Sequence, residues 1–177
     1  MTKALIVVDI QNDYFPGGAM ELVGSIEASK VARKIQDEFR SQNLPVIHVQ
    51  HIAKSPTATF FLPHTFGAEL HENVKPQDDE TVIVKRFPNA FRETNLKQTL
   101  DELGAKDIVI IGMMTHMCID TTVRAANDAG YKVTVFEDAC ATRDLEHNGR
   151  LVSAEDVQAA YLAALDGSFA TVSIFSN

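Results

Sequence analysis

Short apolar runs recur along the chain, each bounded by polar residues or turn formers. Five are rich in β-branched side chains and a sixth is weaker; they lie at 4–8, 45–49, 81–84, 108–111, 132–136 and 170–174. A run that is apolar at every position is typical of a strand covered on both faces, whereas a half-exposed strand alternates apolar and polar residues. The pattern therefore predicts a mainly parallel sheet of six buried strands.

Between these runs, apolar residues recur with the spacing of amphipathic helices. The predicted helices cover residues 25–42, 95–103, 116–129 and 153–165. Gly104 and Gly130 stand where two of these helices end, as expected of C-caps. Alternating strands and helices with short connections predict a single α/β domain over residues 1–177, with helices on both faces of the sheet.

One long segment departs from this alternation. Residues 51–80 contain three histidines, three prolines and no long periodic run. A connection of this length inside a compact domain is usually functional. We therefore expect residues 51–80, together with residues 143–152, to shape a ligand site.

Charge and composition narrow the classes of function. The formal net charge is −8, from 16 basic and 24 acidic side chains, and no dense run of Lys or Arg occurs. Nucleic acids and anionic membranes both require a basic face, so neither is expected as a partner. GxGxxG is absent, which gives nucleotide binding little support.

The cysteines and the N-terminal apolar run bear on the compartment. Cys118 and Cys140 form neither a disulfide framework nor a metal-binding spacing. The first apolar run is too short for a signal peptide or a membrane span. We expect a cytoplasmic protein whose thiols are reduced.

Candidate chemistry follows the predicted strands, because ligands bind beyond the carboxyl ends of the strands in an open parallel sheet. Asp9 follows the first run, Lys85 the third, and Cys118 comes shortly after the fourth. A thiol nucleophile, a carboxylate base and a lysine form a complete set for nucleophilic catalysis. Taken alone, Asp9 could be a turn residue, Lys85 a solvated charge and Cys118 a packed core residue. The prediction of a site depends on all three meeting at one edge.

The position of Cys118 also favours reactivity. Thr115 is the predicted N-cap of the following helix, which places Cys118 on its first turn. Free backbone N–H groups and the helix dipole favour an anion there, so a thiolate is expected. The same N–H groups would suit the oxyanion of a tetrahedral intermediate.

Three stretches closely resemble the isochorismatase-like family of cysteine hydrolases, which includes nicotinamidases and N-carbamoylsarcosine amidases. They are VVDIQNDYF, KRFPNAF and GMMTHMCIDTTVRAANDAGYKVTVFEDACATRD, and the resemblance covers nearly the whole chain. It implies a three-layer αβα, Rossmann-like fold with a six-stranded parallel sheet in the order 3-2-1-4-5-6. It also implies a homo-oligomer, a dimer or larger.

The resemblance assigns roles to residues of this chain. Asp9, Lys85 and Cys118 would form the catalytic triad. A cis peptide bond is implied between Met113 and Met114, with the N–H groups of Met114 and Cys118 forming the oxyanion hole. The substrate pocket is expected to include Gln11, Phe15, Phe87, Phe91 and His116. Core packing explains the phenylalanines equally well, helix capping would explain His116, and Cys140 is expected to be structural.

Two departures from relatives refine the prediction. Nicotinamidases hold a metal with an Asp-x-His pair after the second strand, where this chain has His51-Ile-Ala53. The loop histidines lack carboxylate ligands at set spacing, so we expect no metal, no other cofactor and no nicotinamidase activity. Isochorismatases that cleave a vinyl ether characteristically lack the cysteine, which this chain has.

The sequence thus predicts a cysteine-dependent hydrolase that cleaves a C–N bond of a small amide or ureido substrate through a thioester. Two alternatives stay open. One is a vinyl ether hydrolase of the isochorismatase type that uses Asp9 and Lys85, with Cys118 as a bystander. The other is a non-catalytic binding or scaffold protein with the same fold. The expected partner is a small-molecule substrate, which the sequence does not identify.

Overall fold

The structure, a computed structural model, describes residues 2–175. Its strands are β1 (Thr2–Val8), β2 (Val46–His51), β3 (Thr81–Lys85), β4 (Ala105–Met113), β5 (Lys132–Ala141), β6 (Leu145–His147), β7 (Arg150–Val152) and β8 (Thr171–Ser173). Its helices are α1 (Ser25–Ser41), α2 (Leu96–Glu102), α3 (Asp120–Asp128) and α4 (Ala154–Leu165). None of the helices in this part of the chain is long and apolar enough to cross a membrane.

Six strands form one parallel sheet in the order β3-β2-β1-β4-β5-β8. Because β8 is the sixth sheet strand along the chain, this is the predicted order 3-2-1-4-5-6, and the predicted α/β fold is confirmed. The order reverses between β1 and β4. In open parallel sheets, the crevice at the carboxyl ends of such strands is where ligands bind.

The core lies on both faces of this sheet, which makes three layers. Along β1, Ala4, Ile6 and Val8 face one apolar cluster, and Leu5 and Val7 face the other. Residues of α1 complete the second cluster, whereas residues of α2, α3 and α4 complete the first. Successive side chains of a strand point to opposite faces of the sheet. Because both faces are covered, the runs are apolar at every position.

The glycines predicted to end helices do so. Gly104 and Gly130 directly follow the C-caps of α2 and α3, and their φ angles are +63° and +86°. The N–H of Tyr131 then bonds to the carbonyl of Ala126 at 3.1 Å. This closure is typical of a helix end with a left-handed glycine.

Two features of the fold differ from the prediction. β5 continues to Ala141 instead of ending at Phe136, and a register shift after Ile110 pairs Gly112 with Cys140. The second feature is the antiparallel hairpin of β6 and β7, which lies within residues 143–152. Its turn residues Asn148 and Gly149 have φ of +51° and +74°, and Asn-Gly is a strong sequence signal for a two-residue hairpin turn.

Candidate active site

Three strand ends bring Asp9, Lys85 and Cys118 together at the carboxyl edge of the sheet. Asp9 follows β1, Lys85 is the last residue of β3, and Cys118 lies in the turn after β4. Lys85 Nζ is 2.7 Å from Asp9 Oδ2 and 3.2 Å from Cys118 Sγ. Asp9 and Lys85 are fully buried and Cys118 is 4% exposed, so bulk water screens their interactions little.

The backbone conformation of Asp9 positions its carboxylate at the end of β1. Its φ is +52°, a left-handed conformation that Asp adopts more readily than most residues. Its N–H donates to the Val49 carbonyl at 3.0 Å, and its own carbonyl accepts from the Gln11 N–H at 2.9 Å. The chain therefore leaves the sheet directly after Asp9. Among the described residues, the buried Oδ1 has no hydrogen-bond partner, so it remains available to accept a proton.

The Lys85 ammonium lies at the centre of the site. In addition to Asp9 and Cys118, it contacts His51 Nδ1 at 2.9 Å and the Phe87 carbonyl at 3.1 Å. Burial lowers the pKa of Lys85, but the Asp9 carboxylate and Cys118 outweigh this and raise it above its usual value. An ammonium group has three protons, and these acceptors hold it charged and in one place.

One cluster of metal-ligand types coincides with this site. Asp9, His51 and Cys118 each place one ligand atom within 4.8 Å of the others. However, Lys85 Nζ lies within 3.2 Å of an atom of all three. A metal ion bound by this set would have to displace a paired positive charge. The donor set therefore does not fit a metal, because Lys85 already neutralises the Asp9 carboxylate.

His51 is a neutral hydrogen-bond acceptor in this arrangement. Burial lowers its pKa to about 4, and the Lys85 charge acts in the same direction, against the smaller effect of Asp9. Its Nδ1 accordingly accepts from Lys85. The site thus contains one full negative and one full positive charge beside the sulfur.

The resting state of Cys118 differs from the expected thiolate. Burial raises the pKa of the thiol far above its usual range, the Asp9 carboxylate raises it further, and Lys85 offsets only part of this. The expectation of a thiolate in the free protein is therefore wrong. Complete desolvation outweighs the effect of the helix terminus, and the thiol needs a base in order to react.

The predicted N-cap is also wrong. Residues Thr115–Ile119 form a π-helical turn that leads into α3, and Met114 occupies the position before it. Thr115 Oγ1 instead donates to Gln158 Oε1 at 2.6 Å and lies 3.3 Å from the Ala141 carbonyl. The threonine thereby connects this turn to α4 and β5 rather than capping a helix.

The peptide bond between Met113 and Met114 is cis, at the position that the resemblance implies. Just before it, Gly112 has a φ of +134°, and a Cβ there would fall 1.9 Å from the carbonyl oxygen of Val8. Only glycine allows β4 to pass β1 this closely. After the cis bond, the Met114 carbonyl accepts from the N–H groups of Met117 and Ile119 at 3.1 Å and 3.2 Å. The assignment of the Met114 and Cys118 N–H groups to an oxyanion hole stays a prediction.

Gln11, predicted to bind substrate, has its amide committed to the backbone. Nε2 donates to the carbonyls of His51 and Ala68, and Oε1 accepts from the His51 N–H, all at 2.8 Å. The side chain is fully buried. It joins the end of β2 to the 51–80 segment, so the structure gives Gln11 a positioning role in place of the predicted contact.

Tyr14, one position before the predicted Phe15, is buried and lies within the electrostatic influence of Cys118 and Asp9. Phe15 stacks on His71, with ring centroids 3.6 Å apart, and belongs to the core. The pKa of Tyr14 is raised by burial first and then by Cys118 and Asp9, which places its hydroxyl in their field. Tyr14 is the last residue of a short 3₁₀ turn at Asn12–Tyr14, which the sequence pattern does not show.

Phe87 and Phe91 have different surroundings. Phe87 lines an open pocket of about 420 Å³ that also includes His51, Phe60 and Phe61. Phe91 stacks on Tyr131 at 5.9 Å and packs against the core. Tyr131 directly precedes β5 at the opposite, amino end of the sheet. The prediction that Phe91 contacts substrate is thus not supported, and its alternative, core packing, is what the structure shows.

Arg143 acts electrostatically on both His116 and Tyr14. His116 is 9% exposed, its Nδ1 is 2.6 Å from Thr142 Oγ1, and burial together with Arg143 lowers its pKa. It does not cap a helix, and its contact with substrate stays a prediction. The Arg143 charge offsets part of the rise in the pKa of Tyr14, and the buried Nε of Arg143 has no hydrogen-bond partner within residues 2–175. The sequence pointed to this segment but not to Arg143 itself.

The second cysteine has no comparable surroundings. Cys140 Sγ lies 3.5 Å from the Phe136 carbonyl. Burial raises the pKa of its thiol to about 12. Within the described chain, this sulfur has no hydrogen bond to a lysine, histidine or carboxylate, which agrees with the structural role expected for it.

The chain resembles proteins of one family over nearly all of its length. The profile of the Isochorismatase domain matches residues 3–173. The Uncharacterized isochorismatase family protein YddQ of Bacillus subtilis is 52% identical over 172 residues, which cover 97% of this chain and 96% of that protein. The crystal structure of an isochorismatase-family protein from Oleispira antarctica has a TM-score of 0.94 and 46% identity, covering 98% of this chain and 93% of that one.

Other relatives have names that state a chemistry. Streptothricin hydrolase of Streptomyces noursei is 33% identical over 143 residues, which cover 81% of this chain and 51% of that protein. Nicotinamidase 3 of Arabidopsis thaliana is 29% identical over 163 residues, covering 85% and 79%. The structure of a cysteine hydrolase from Pseudomonas syringae has a TM-score of 0.91 and 28% identity, covering 97% of this chain and 88% of that one.

Proposed function

Because this chain belongs to the isochorismatase family of hydrolases, we propose that it is a cysteine hydrolase that cleaves a C–N bond of a small amide or ureido substrate. The observation that carries the proposal is Lys85 Nζ, 3.2 Å from Cys118 Sγ and 2.7 Å from the Asp9 carboxylate. A nucleophile, a base and a fixed positive charge in one buried site are what acyl transfer requires. Relatives named nicotinamidase and streptothricin hydrolase support an amide substrate.

Acylation begins with proton transfer. The raised pKa of Cys118 keeps the thiol protonated at neutral pH, so Asp9 removes that proton as the sulfur attacks the carbonyl carbon. The C=O π bond breaks, and its electron pair moves to the oxygen, where the N–H groups of Met114 and Cys118 would stabilise the oxyanion. Asp9 then gives its proton to the leaving nitrogen, the C–N bond breaks, and a thioester remains.

Deacylation uses the same base. Asp9 takes a proton from water, the hydroxyl group attacks the thioester carbonyl, and the C–S bond breaks. The proton returns from Asp9 to the departing sulfur, which restores the thiol and releases the acid. Lys85 stays charged throughout, since its pKa is raised, and it keeps the carboxylate oriented.

The two other functions considered for the sequence differ in what they require of Cys118. A vinyl ether hydrolase needs an acid but no thiol nucleophile, and a scaffold needs neither. Both leave the direct contact of Lys85 with the sulfur without a purpose. They also predict that removing the sulfur has little chemical consequence.

The test is ammonia release from a panel of small primary amides and ureido compounds. We expect Cys118→Ala to lower the rate by at least about 10⁴-fold, because the nucleophile is lost. Cys140→Ala is the matched control, since Cys140 is equally buried but lies outside the site, and it should remain active. Circular dichroism checks that both variants fold. Undiminished turnover by Cys118→Ala would exclude the thioester route.

A further inference from the structure

The open pocket beside the triad combines aromatic and basic side chains. Its walls include Phe60, Phe61 and Phe87 together with Lys54 and Arg86. Two lining residues reach the reacting groups, because His51 Nδ1 and the Phe87 carbonyl both accept hydrogen bonds from Lys85 Nζ. The volume of about 420 Å³ suits a small molecule. The pocket therefore adjoins the site, although Cys118 itself does not line it.

The positive charge of this pocket is not balanced by an acid in its own lining, in which no residue is Asp or Glu. Arg86 also borders a neighbouring pocket that includes Glu69. Across residues 2–175, the ion pairs involve neither Lys54 nor Arg86. Two unpaired cations in one concave surface are notable in a chain whose net charge is −8. Such a local field attracts and orients anions.

The contacts of the two cations leave them free to bind a ligand. Lys54 Nζ lies over the Phe87 ring, 5.8 Å from its centroid, and Arg86 donates from one terminal nitrogen to the Ile52 carbonyl at 3.1 Å. Arg92 stacks on the same ring at 3.7 Å and adds a third positive charge nearby. The remaining N–H donors of Arg86 and all those of Lys54 are available to an acceptor.

We propose that this pocket binds a carboxylate, so that the substrate is an anionic amide or ureido compound with its acid group a few bonds from the scissile C–N bond. The inference rests on the proposed function. Lys54 and Arg86 would bind the carboxylate by charge-assisted hydrogen bonds, and the aromatic rings would pack against the connecting carbon chain. The positive charge selects against neutral amides of the same size.

Matched amides test this directly. Succinamate and butanamide differ only in a carboxylate that replaces a methyl group, and glutaramate and pentanamide form a second pair. We expect kcat/KM to be about tenfold or more higher for each anionic member, as one charge-assisted hydrogen bond is worth at least that factor. The preference should be expressed mainly in KM and should weaken as ionic strength rises. Equal kcat/KM values within both pairs would overturn the inference.

Variants locate the effect. Lys54→Gln and Arg86→Gln should each lower the ratio of kcat/KM for succinamate to that for butanamide by about tenfold. Lys30→Gln, an exposed lysine on α1, is the matched control and should preserve the ratio. An unchanged ratio in both pocket variants would show that the carboxylate binds elsewhere, which contradicts the proposal.

A binding measurement separates this inference from the proposed function. Titration calorimetry on the Cys118→Ala protein reports affinity without turnover. We expect it to bind succinamate more tightly than butanamide, and the difference should shrink with Lys54→Gln. This result without ammonia release by the intact protein would sink the proposed function and leave the anion site standing. Ammonia release with no preference for the anionic amides would support the proposed function and overturn the anion site.

Discussion

Asp9 and Lys85 have opposite effects on the Cys118 thiol, and this defines the chemistry at the scale of single residues. The carboxylate raises the pKa of the thiol and the ammonium lowers it, while burial raises it most. The net result is a neutral thiol held between a base and a cation. Such a nucleophile depends on Asp9 to remove its proton as it attacks.

Removing the carboxylate should separate reactivity from catalysis. With Asp9→Asn, hydrolysis should be lost because no base remains. The same change removes a negative charge beside the sulfur, so the pKa of Cys118 should fall. Alkylation by iodoacetamide should therefore become faster at neutral pH, as measured by intact-protein mass spectrometry between pH 6 and 9.

Removing the cation should act in the opposite direction. Lys85→Met deletes the positive charge 3.2 Å from the sulfur, so the pKa of the thiol should rise and alkylation should slow. Lys30→Gln, remote on α1, serves as the charge control. If both site variants shifted alkylation in the same direction, the electrostatic account of the thiol would be wrong.

The sequence predicted the site residues that follow directly from their place after a strand. It did not predict residues whose position depends on local backbone conformation. Asp9, Lys85 and Cys118 are recognisable because each follows an apolar run. Phe15 was predicted to bind substrate but stacks on His71, and the sequence pattern does not show the 3₁₀ turn that precedes it. The thiolate expectation failed because sequence does not report the burial of the sulfur.

At the scale of elements, the 51–80 segment is held by the short stretch after β1. Asp13 Oδ2 accepts from the Phe61 N–H at 2.6 Å, and Oδ1 accepts from the Ala19 N–H at 3.2 Å. A Cβ on Gly67 would lie 2.0 Å from Oδ1, so glycine is needed for the segment to pack this closely. Together with Gln11, this carboxylate positions the aromatic wall of the pocket.

Asp13→Ala should loosen that segment. The N–H groups of Phe61 and Ala19 would lose their partner, which should cost about 2 kcal/mol in the free energy of unfolding. Urea denaturation measures this cost, and limited proteolysis should cut within residues 51–67 faster. Asp128→Ala, an exposed residue at the end of α3, should change stability by less than about 0.5 kcal/mol. If both variants lost the same free energy of unfolding and were cut at the same rate, Asp13 would not hold this segment in place.

The strands were largely predictable, because a strand that is buried on both faces is apolar at every position of the sequence. The extension of β5 was not, since Glu137 and Asp138 interrupt its apolar pattern and the register shift lies there. The β6–β7 hairpin carried an Asn-Gly signal, but its strands have three residues each and no alternating pattern. Its stability depends on context that the sequence does not show.

For the whole molecule, one polar network joins α1 to β2 and to the segment that leads into β3. Arg40 donates to both Glu80 oxygens at 2.7 Å and 2.8 Å, and His48 Nε2 lies 2.8 Å from Glu80 Oε2. Burial would raise the pKa of Glu80, but Arg40, the Gln77 N–H and His48 together lower it to about 2, from 4.5. A lower pKa in the folded state means that ionised Glu80 stabilises the fold.

The stability of the protein should therefore fall in acid in a defined range. The contribution of Glu80 is fully present above pH 4.5 and is lost as the pH falls from there toward 2. Glu80→Gln should lower the free energy of unfolding by about 1–2 kcal/mol near pH 7, after solvent screening, and the difference should vanish near pH 2. Glu146→Gln, exposed on β6, is the control. A difference independent of pH would contradict this account.

The most direct test of the central claim is acyl transfer from the protein to hydroxylamine during turnover of a primary amide. A thioester on Cys118 partitions between water and hydroxylamine, so the account predicts hydroxamate in proportion to the hydroxylamine added, with ammonia released as before. Cys118→Ala should form none. Continued ammonia release that yields only the acid, at every hydroxylamine concentration, would mean that water attacks the substrate directly and would contradict the account.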